Sequence, residues 1–416
     1  MPAGMTRSVW LLNHYVPYPG EPTASRHPGL AEHLKELDWD VTLIASSVPL
    51  HDPSQQRLGK GEKYRIEVID GQRYLWVKVP TYSSGGGRIV NMMAFARNSL
   101  KQTVTRRLDA PDLVMGSAVH LLTGLAAERL AKRHSVPFVF EVRDLWPLTL
   151  IERKAIRAKG PTARAMGALE KHLYRHADEV VTLLPGSEEY IQRAGADPDR
   201  IHWIPNGVEC LPIPEPAAQG SRDLMYLGTH GISNDLDLLI NGYADFRQAH
   251  PESTLRLRLI GDGPLKAEMQ DLARRRNVPN ISFEEAVPKS DVPAKASEAL
   301  AFAFTMRSLD VYRYGISPNK VFDYMAAGKP VLMSTVTKQC PILRSGGGIS
   351  ITDNTVAGWA AAIAELDAMP ASQLVRLGKA GRAYVEENHD YRILATKLSD
   401  VFDSAIARSD RPPAPV

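Results

Sequence analysis

The chain has 416 residues, 44% of them apolar and 23% charged, and a formal net charge of +3. That length exceeds what one hydrophobic core usually serves, so two domains are expected; the charge is too small to point to nucleic acid, and no aromatic-basic RNA-binding motif is found. No segment approaches the roughly 18 unbroken apolar residues of a membrane span, and Cys210 and Cys340 are too few and too far apart for a disulfide framework. No Cys/His cluster has zinc-ligand spacing, and the opening Met1-Pro2-Ala3-Gly4-Met5 has no signal-peptide profile, so a reducing cytoplasm is the expected compartment.

Residues 8–13 read as a buried strand, followed by a loop rich in Pro and Gly that includes Gly20, and then a helical pattern over 25–37. Ligands of open α/β sheets gather at the carboxyl ends of strands, which makes the 13–26 loop a candidate site wall; the plainer alternative is a stiffened connection. A strand over 41–46 precedes a hairpin of 64–69 and 73–79 around Asp70-Gly71, a pair suited to a type I′ turn. Residues 83–87 (Ser-Ser-Gly-Gly-Gly) read as a flexible break before a helix over about 89–107. Strands over 113–115, 138–142, 179–184 and 201–204 then alternate with helices over 121–134, 163–176 and 188–193, the rhythm of a doubly wound parallel sheet.

Arg143-Asp144 follows the 138–142 strand, where polar residues either face a ligand or close the strand end as a buried ion pair. Between 151 and 175, Arg153, Lys154, Arg157, Lys159, Arg164, Lys171 and Arg175 stand against Glu152 and Glu170. Such a face either lies on anionic lipid or is simply solvated. Pro205-Asn206-Gly207-Val208 and the proline-rich 211–216 segment mark the domain boundary.

The second half repeats the pattern. A strand over 223–227 ends in Gly228-Thr229-His230, and a helix covers 235–249. A strand over 255–260 leads into Gly261-Asp262-Gly263, and one over 281–284 into a loop holding Val287. Within 315–332, Ser317 is a preferred helix cap, Pro318 suits the first helical position, and Gly328 suits the left-handed position that ends a helix. The start of that helix offers free N–H groups and the positive end of its dipole to an anion. Lys320 and Asp323, three apart, share a face, so a phosphate followed by a ribose diol would fit; an exposed ion pair is the alternative. Helical patterns over 357–366, 374–387 and 391–406 close the chain. No glycine-rich dinucleotide fingerprint, Walker lysine loop or nucleophile elbow occurs, which disfavours a nicotinamide dehydrogenase, a P-loop NTPase and a serine hydrolase.

The run Ser317-Pro318-Asn319-Lys320-Val321-Phe322-Asp323-Tyr324-Met325-Ala326-Ala327-Gly328-Lys329-Pro330-Val331 resembles the nucleotide-sugar site of GT-B glycosyltransferases of family 4, in their WbuB-like branch. Glu141-Val142-Arg143-Asp144-Leu145-Trp146-Pro147, the Pro-Asn-Gly-Val junction and Gly261-Asp262-Gly263 extend the resemblance over nearly the whole chain. It implies two Rossmann-like doubly wound parallel-sheet domains facing a central cleft: 1–205 on the acceptor side, 206–390 binding the nucleotide-sugar, and 391–416 a returning helix with a frayed tail. It implies a retaining, metal-independent glycosyltransferase of hexosyl or N-acetylhexosaminyl type. The expected donor is an NDP-sugar, a UDP-linked N-acetylated sugar foremost, and no cofactor is expected. The expected acceptor is a glycan or lipid-linked saccharide in capsule or O-antigen assembly, at the inner face of the cytoplasmic membrane.

By the same resemblance, Arg143, Asp144 and Lys320 are expected to act in catalysis. Gly20, Gly228, His230, Val287, Arg313, Gly315, Ile316, Ser317, Pro318, Asn319, Lys320 and Asp323 are expected around the donor, Asp323 on the ribose hydroxyls. Two departures stand out. Gly315 occupies the place of the family's first acid, and the Arg and Lys that usually follow the first glycine of the second domain are missing, leaving Lys320, Arg313 and His230 as substitutes. Rival readings are an NDP-sugar epimerase or phosphorylase on the same architecture, and an inactive nucleotide-sugar-binding partner subunit.

Overall fold

The computed structural model describes residues 6–19, 21, 26–213, 221–288, 291–334 and 337–409. The chain divides into two compact units, Met1–Asn206 with Tyr391–Val416, and Gly207–Asp390. The first is built on eight strands: β1 (Arg7–Leu12), β2 (Trp39–Ser46), β3 (Tyr64–Ile69), β4 (Gln72–Val77), β5 (Leu113–Ala118), β6 (Phe138–Val142), β7 (Glu179–Thr182) and β8 (Ile201–Trp203). Their order is β3-β4-β2-β1-β5-β6-β7-β8, and all neighbours are parallel except the β3–β4 hairpin. Central strands such as β5 and β6 are buried at every position, as a sheet covered by helices on both faces requires. The hairpin turns at Asp70 (φ 51°) and Gly71 (φ 72°), the pair of positive φ angles that a type I′ turn needs.

The helix Tyr391–Ser409 belongs to this first unit. Leu394, Leu398 and Phe402 are buried in its core, Phe402 sets its ring edge on Trp39 at 5.1 Å, and the Trp39 indole N–H donates to Ser399 Oγ (2.9 Å). Each such apolar side chain contributes about 1.5–3 kcal/mol by leaving water.

The second unit is a six-stranded, wholly parallel sheet of β9 (Asp223–Leu227), β10 (Arg256–Ile260), β11 (Ile281–Glu284), β12 (Ala301–Phe304), β13 (Val331–Ser334) and β14 (Gly348–Ile351). Its order is β11-β10-β9-β12-β13-β14. One apolar cluster, with Tyr243, Phe246 and Trp359, and another, with Phe302, Phe322 and Tyr324, fill the core. Both sheets reverse their strand order once, between β1 and β5 and between β9 and β12, and ligands of such sheets bind at these reversals.

Two local expectations are corrected. Residues 83–87 are no break: the Ser84 hydroxyl accepts from Gly87 N–H (3.2 Å) and a helix runs Gly85–Ser99, the cap offsetting the cost of a glycine first turn. A short turn of helix, Gln102–Thr105, follows separately. The helix expected from Pro318 begins instead at Asn319, because Pro318 is extended (φ −81°, ψ 122°) and Ser317 lies outside the cap with no capping bond from Pro318. Gly328 does take the left-handed conformation (φ 69°).

Candidate functional site

In the second unit, the loops leaving β9 and β10 close on each other through bare backbone. Gly228 follows β9 at φ 151°, where a Cβ would collide with Lys320 Nζ; Gly261 follows β10 at φ 148°, where a Cβ would strike the Gly228 carbonyl; and a Cβ at Gly263 (φ 154°) would approach the His230 carbonyl at 2.5 Å. Any side chain at these positions would fill the floor of the site.

Lys320 lies over that floor. Its Nζ donates to the Tyr226 hydroxyl (2.9 Å) and sits 4.9 Å from the centre of the Tyr226 ring. Burial lowers its pKa to about 8, because the ammonium has lost water. An ammonium held by a neutral hydroxyl and a ring face gains strongly from an incoming anion. The Tyr324 hydroxyl fixes the helix Asn319–Ala326 on the end of β9, donating to Leu227 O (2.7 Å) and accepting from Leu227 N–H (3.0 Å), while its ring stacks on Phe302 at 4.2 Å. The first turn of the helix therefore lies at the carboxyl end of the sheet, beside Gly228. Asn319 Oδ1 is buried there with no hydrogen-bond partner among the described residues.

His230 is buried beside this floor. Its main chain is fixed by bonds to Asp262 O (2.8 Å) and from Leu265 N–H (3.0 Å), yet neither ring nitrogen has a hydrogen-bond partner among the described residues. Burial first, then the charges of Lys266 and Lys320, push its pKa down to about 4, so the ring is neutral at physiological pH. Its ring centre lies 6.0 Å from that of Tyr226 and 6.3 Å from that of Phe283.

The structure thus brings Gly228, His230, Asn319 and Lys320 together at one end of the second sheet, with Ser317 and Pro318 leading into the helix and Asp323 on its second turn. Ile316 is buried in the apolar cluster on which Val287 also packs, so the loop after β11 and the approach to the helix share a support. Arg313 is exposed, bonding to Asp310 O and the Tyr314 hydroxyl (3.2 Å each) with its guanidinium 4.6 Å from the Tyr314 ring centre. Gly315 has φ 96° and ψ 175°, a backbone essentially reserved for glycine, so the position of the missing acid differs in its main chain as well as its side chain. Gly20 lies outside the described residues.

The first unit carries its own pocket at the carboxyl end of its sheet, lined by residues that include Asn13, Tyr15, Glu21, His51, Arg143 and Asp144. Arg143 and Asp144 act on each other through their charges, but neither makes the hydrogen-bonded ion pair at strand β6. That role falls to Glu141, whose carboxylate accepts from Arg26 (2.7 and 2.9 Å) and the Ser117 hydroxyl (2.7 Å) and bonds the His27 ring (2.9 Å). Burial works to raise the Glu141 pKa, and the Arg26 and His27 charges outweigh it, holding the carboxyl well below its usual range. Arg26 also donates to the Ile204 carbonyl (3.0 Å) and the Pro205 carbonyl, tying the pocket wall to the end of β8.

Sequence reading missed a buried histidine pair at the β1/β5 reversal. His14 Nδ1 and His120 Nε2 are 2.7 Å apart, and burial lowers both pKa values, that of His120 to about 3. One ring must therefore donate as a neutral tautomer to the other. Their separation of 106 positions concealed the pair, although each lies just beyond the carboxyl end of a strand. Tyr226 was also missed, since inside a strand its alternation reads as core.

Comparison with known proteins agrees with this architecture. Residues 24–207 match a glycosyl transferase 4-like domain and residues 221–368 match glycosyl transferases group 1. The probable glycosyltransferase WbjE of Pseudomonas aeruginosa is 22% identical over 316 residues, 71% of this chain and 75% of its own. Sucrose-phosphate synthase from Thermosynechococcus elongatus superimposes with a TM-score of 0.69 at 16% identity, over 97% of this chain and all of that one. Anabaena HepE in complex with UDP-glucose does so with 0.66 at 14% identity, over 95% and 99%. The chain is a glycosyltransferase of the GT-B fold, a glycosyl transferase 4-like domain followed by a group 1 domain.

Proposed function

We propose that this glycosyltransferase takes a nucleoside diphosphate sugar in its second unit, with UDP-linked N-acetylated sugars the first donors to test. The observation that carries the reading is Lys320, half-buried against the bare backbone of Gly228 at the first turn of the helix Asn319–Ala326. The diphosphate would sit on the N–H groups of that turn and on Lys320, with Asp323 on the ribose hydroxyls and the base against the loop of Val287. The complex of the HepE neighbour with UDP-glucose supports the donor class.

In the proposed reaction the acceptor oxygen forms a bond to the anomeric carbon on the face from which the phosphate departs. The bond from that carbon to the phosphate oxygen breaks, and the acceptor proton passes to the leaving diphosphate, so configuration is retained. Charge grows on the diphosphate, where Lys320 and the helix N–H groups meet it without a metal ion. Arg143 and Asp144 would orient the acceptor, a glycan or lipid-linked saccharide of capsule or O-antigen assembly, at the cytoplasmic face of an anionic membrane.

Calorimetric titration of UDP, GDP, ADP and NAD without added metal tests the donor site. One diphosphate should bind selectively, and Lys320→Ala should weaken it at least tenfold, about 1.4 kcal/mol or more. Asp323→Ala should weaken it too, with the circular dichroism unchanged. Affinities indifferent to both substitutions would remove the helix from the donor site. Gly315 favours one second reading, a subunit that binds donor without transferring it; product analysis with a saccharide acceptor separates the two.

A further inference from the structure

We propose a transition-metal site on the outer surface of the first unit, formed by Glu128, His172 and His176 and fitted to Zn²⁺. These residues come from two packed helices, Leu121–His134 and Pro161–His176, and one ligand atom from each lies within 4.8 Å of the others. His172 and His176 are four apart, so both rings leave one face of their helix, with ring centres 4.1 Å apart. The Glu128 carboxylate, buried on the neighbouring helix, reaches His172 Nε2 with both oxygens (3.0 and 2.9 Å).

Two features distinguish this cluster from an ordinary ion pair. His176 Nδ1 donates to the His172 carbonyl (2.7 Å), which fixes its tautomer and leaves Nε2 as the lone pair for a ligand; metal-binding imidazoles are commonly held by such a bond from the other nitrogen. The three groups also form a His₂Glu set of nitrogen and oxygen donors, a set zinc accepts while keeping its fourth position for water. One cation competes for the carboxylate: Lys132 Nζ bonds Glu128 Oε1 at 2.6 Å, from a side chain 62% exposed and therefore able to swing into solvent. The sequence hides the set because Glu128 lies 44 positions before His172 and the His-x3-His pair alone is a weak signal. The ion would join the two helices of the first unit.

The test is calorimetric titration of the chelator-treated full chain with ZnCl₂ at pH 7.5, together with the visible absorption of the Co²⁺ form. One ion per chain should bind, with a dissociation constant in the micromolar range and d–d bands of a low-coordinate Co²⁺. His172→Ala and His176→Ala should each weaken binding at least tenfold while the far-ultraviolet circular dichroism stays unchanged, and Lys132→Ala should tighten it. Absence of stoichiometric binding, or binding indifferent to both histidine substitutions, would overturn the proposal. Should either alanine variant fail to fold, His172→Gln and His176→Gln carry the same comparison.

Discussion

Lys320 has an ordinary lysine pKa of 10.5 lowered to about 8, and the sign of the consequence follows from which form binds the donor. Only the ammonium meets a diphosphate, and binding raises its pKa again, so above pH 8 the complex takes up a proton that the free protein has lost. UDP affinity should therefore already be falling at pH 8, where half of the free lysine is neutral, and approach a tenfold loss per pH unit above that. Titration calorimetry between pH 7.5 and 9.5 checks it, and Lys320→Met should abolish the slope along with most of the affinity. A slope that survives in Lys320→Met would assign the titration to another group. His230 is the complementary case: neutral at every pH of this range, it offers hydrogen bonds without charge.

Among the elements, the basic stretch between β6 and β7 has a surface more one-signed than its composition, because one of its acids is buried. Arg153, Lys154, Arg157, Lys159, Arg164, Lys171 and Arg175 are exposed, whereas Glu170 is buried under the hydroxyls of Tyr174 (3.2 Å) and Tyr190 (3.0 Å). Burial raises the Glu170 pKa to about 8, so the acid contributes little negative charge at neutral pH. If this face meets anionic lipid, the chain should cosediment with phosphatidylglycerol vesicles and lose that partition on reversal of Arg157, Lys159 and Arg164 to Glu. Equal partition into neutral vesicles would remove the membrane reading.

How far these elements were legible in sequence depended on the range of the forces behind them. The strand runs of β6 and β9 and the helix Leu121–His134 carry continuous or periodic apolar patterns that burial explains, and they lie where the pattern puts them. The hairpin at Asp70-Gly71 was legible because its backbone requirement is local. The helix start at Gly85 was not, because the glycine penalty was weighed without the Ser84 cap that offsets it. The lysine on Tyr226, the His14–His120 pair and the Arg26–Glu141 pair join residues 94, 106 and 115 positions apart, and no spacing rule reaches that far. The backbone of Gly315 was hidden for a related reason: a count along the chain finds the absent acid and not the turn that excludes it.

For the whole molecule, the helix Tyr391–Ser409 has a consequence in time. The core of the first unit holds Trp39 and Leu43 from near the start of the chain and Leu394, Leu398 and Phe402 from near its end, whereas Gly207–Asp390 is an unbroken stretch. A ribosome therefore releases every residue of the second unit before it supplies the segment that seals the first. The order of closure should run against the order of synthesis, although domains usually fold from the N-terminus onward. A chain stopped after Asp390 should keep a cooperative thermal transition for the second unit, bind a hydrophobic dye through the unsealed first, and aggregate. Adding residues 391–409 as a separate peptide should suppress the dye signal. If the stopped chain instead shows both transitions and no dye binding, the helix only decorates a finished core. During synthesis the nascent first unit is thus an incomplete sheet awaiting its last helix, and the interval scales with the 184 residues from Gly207 to Asp390.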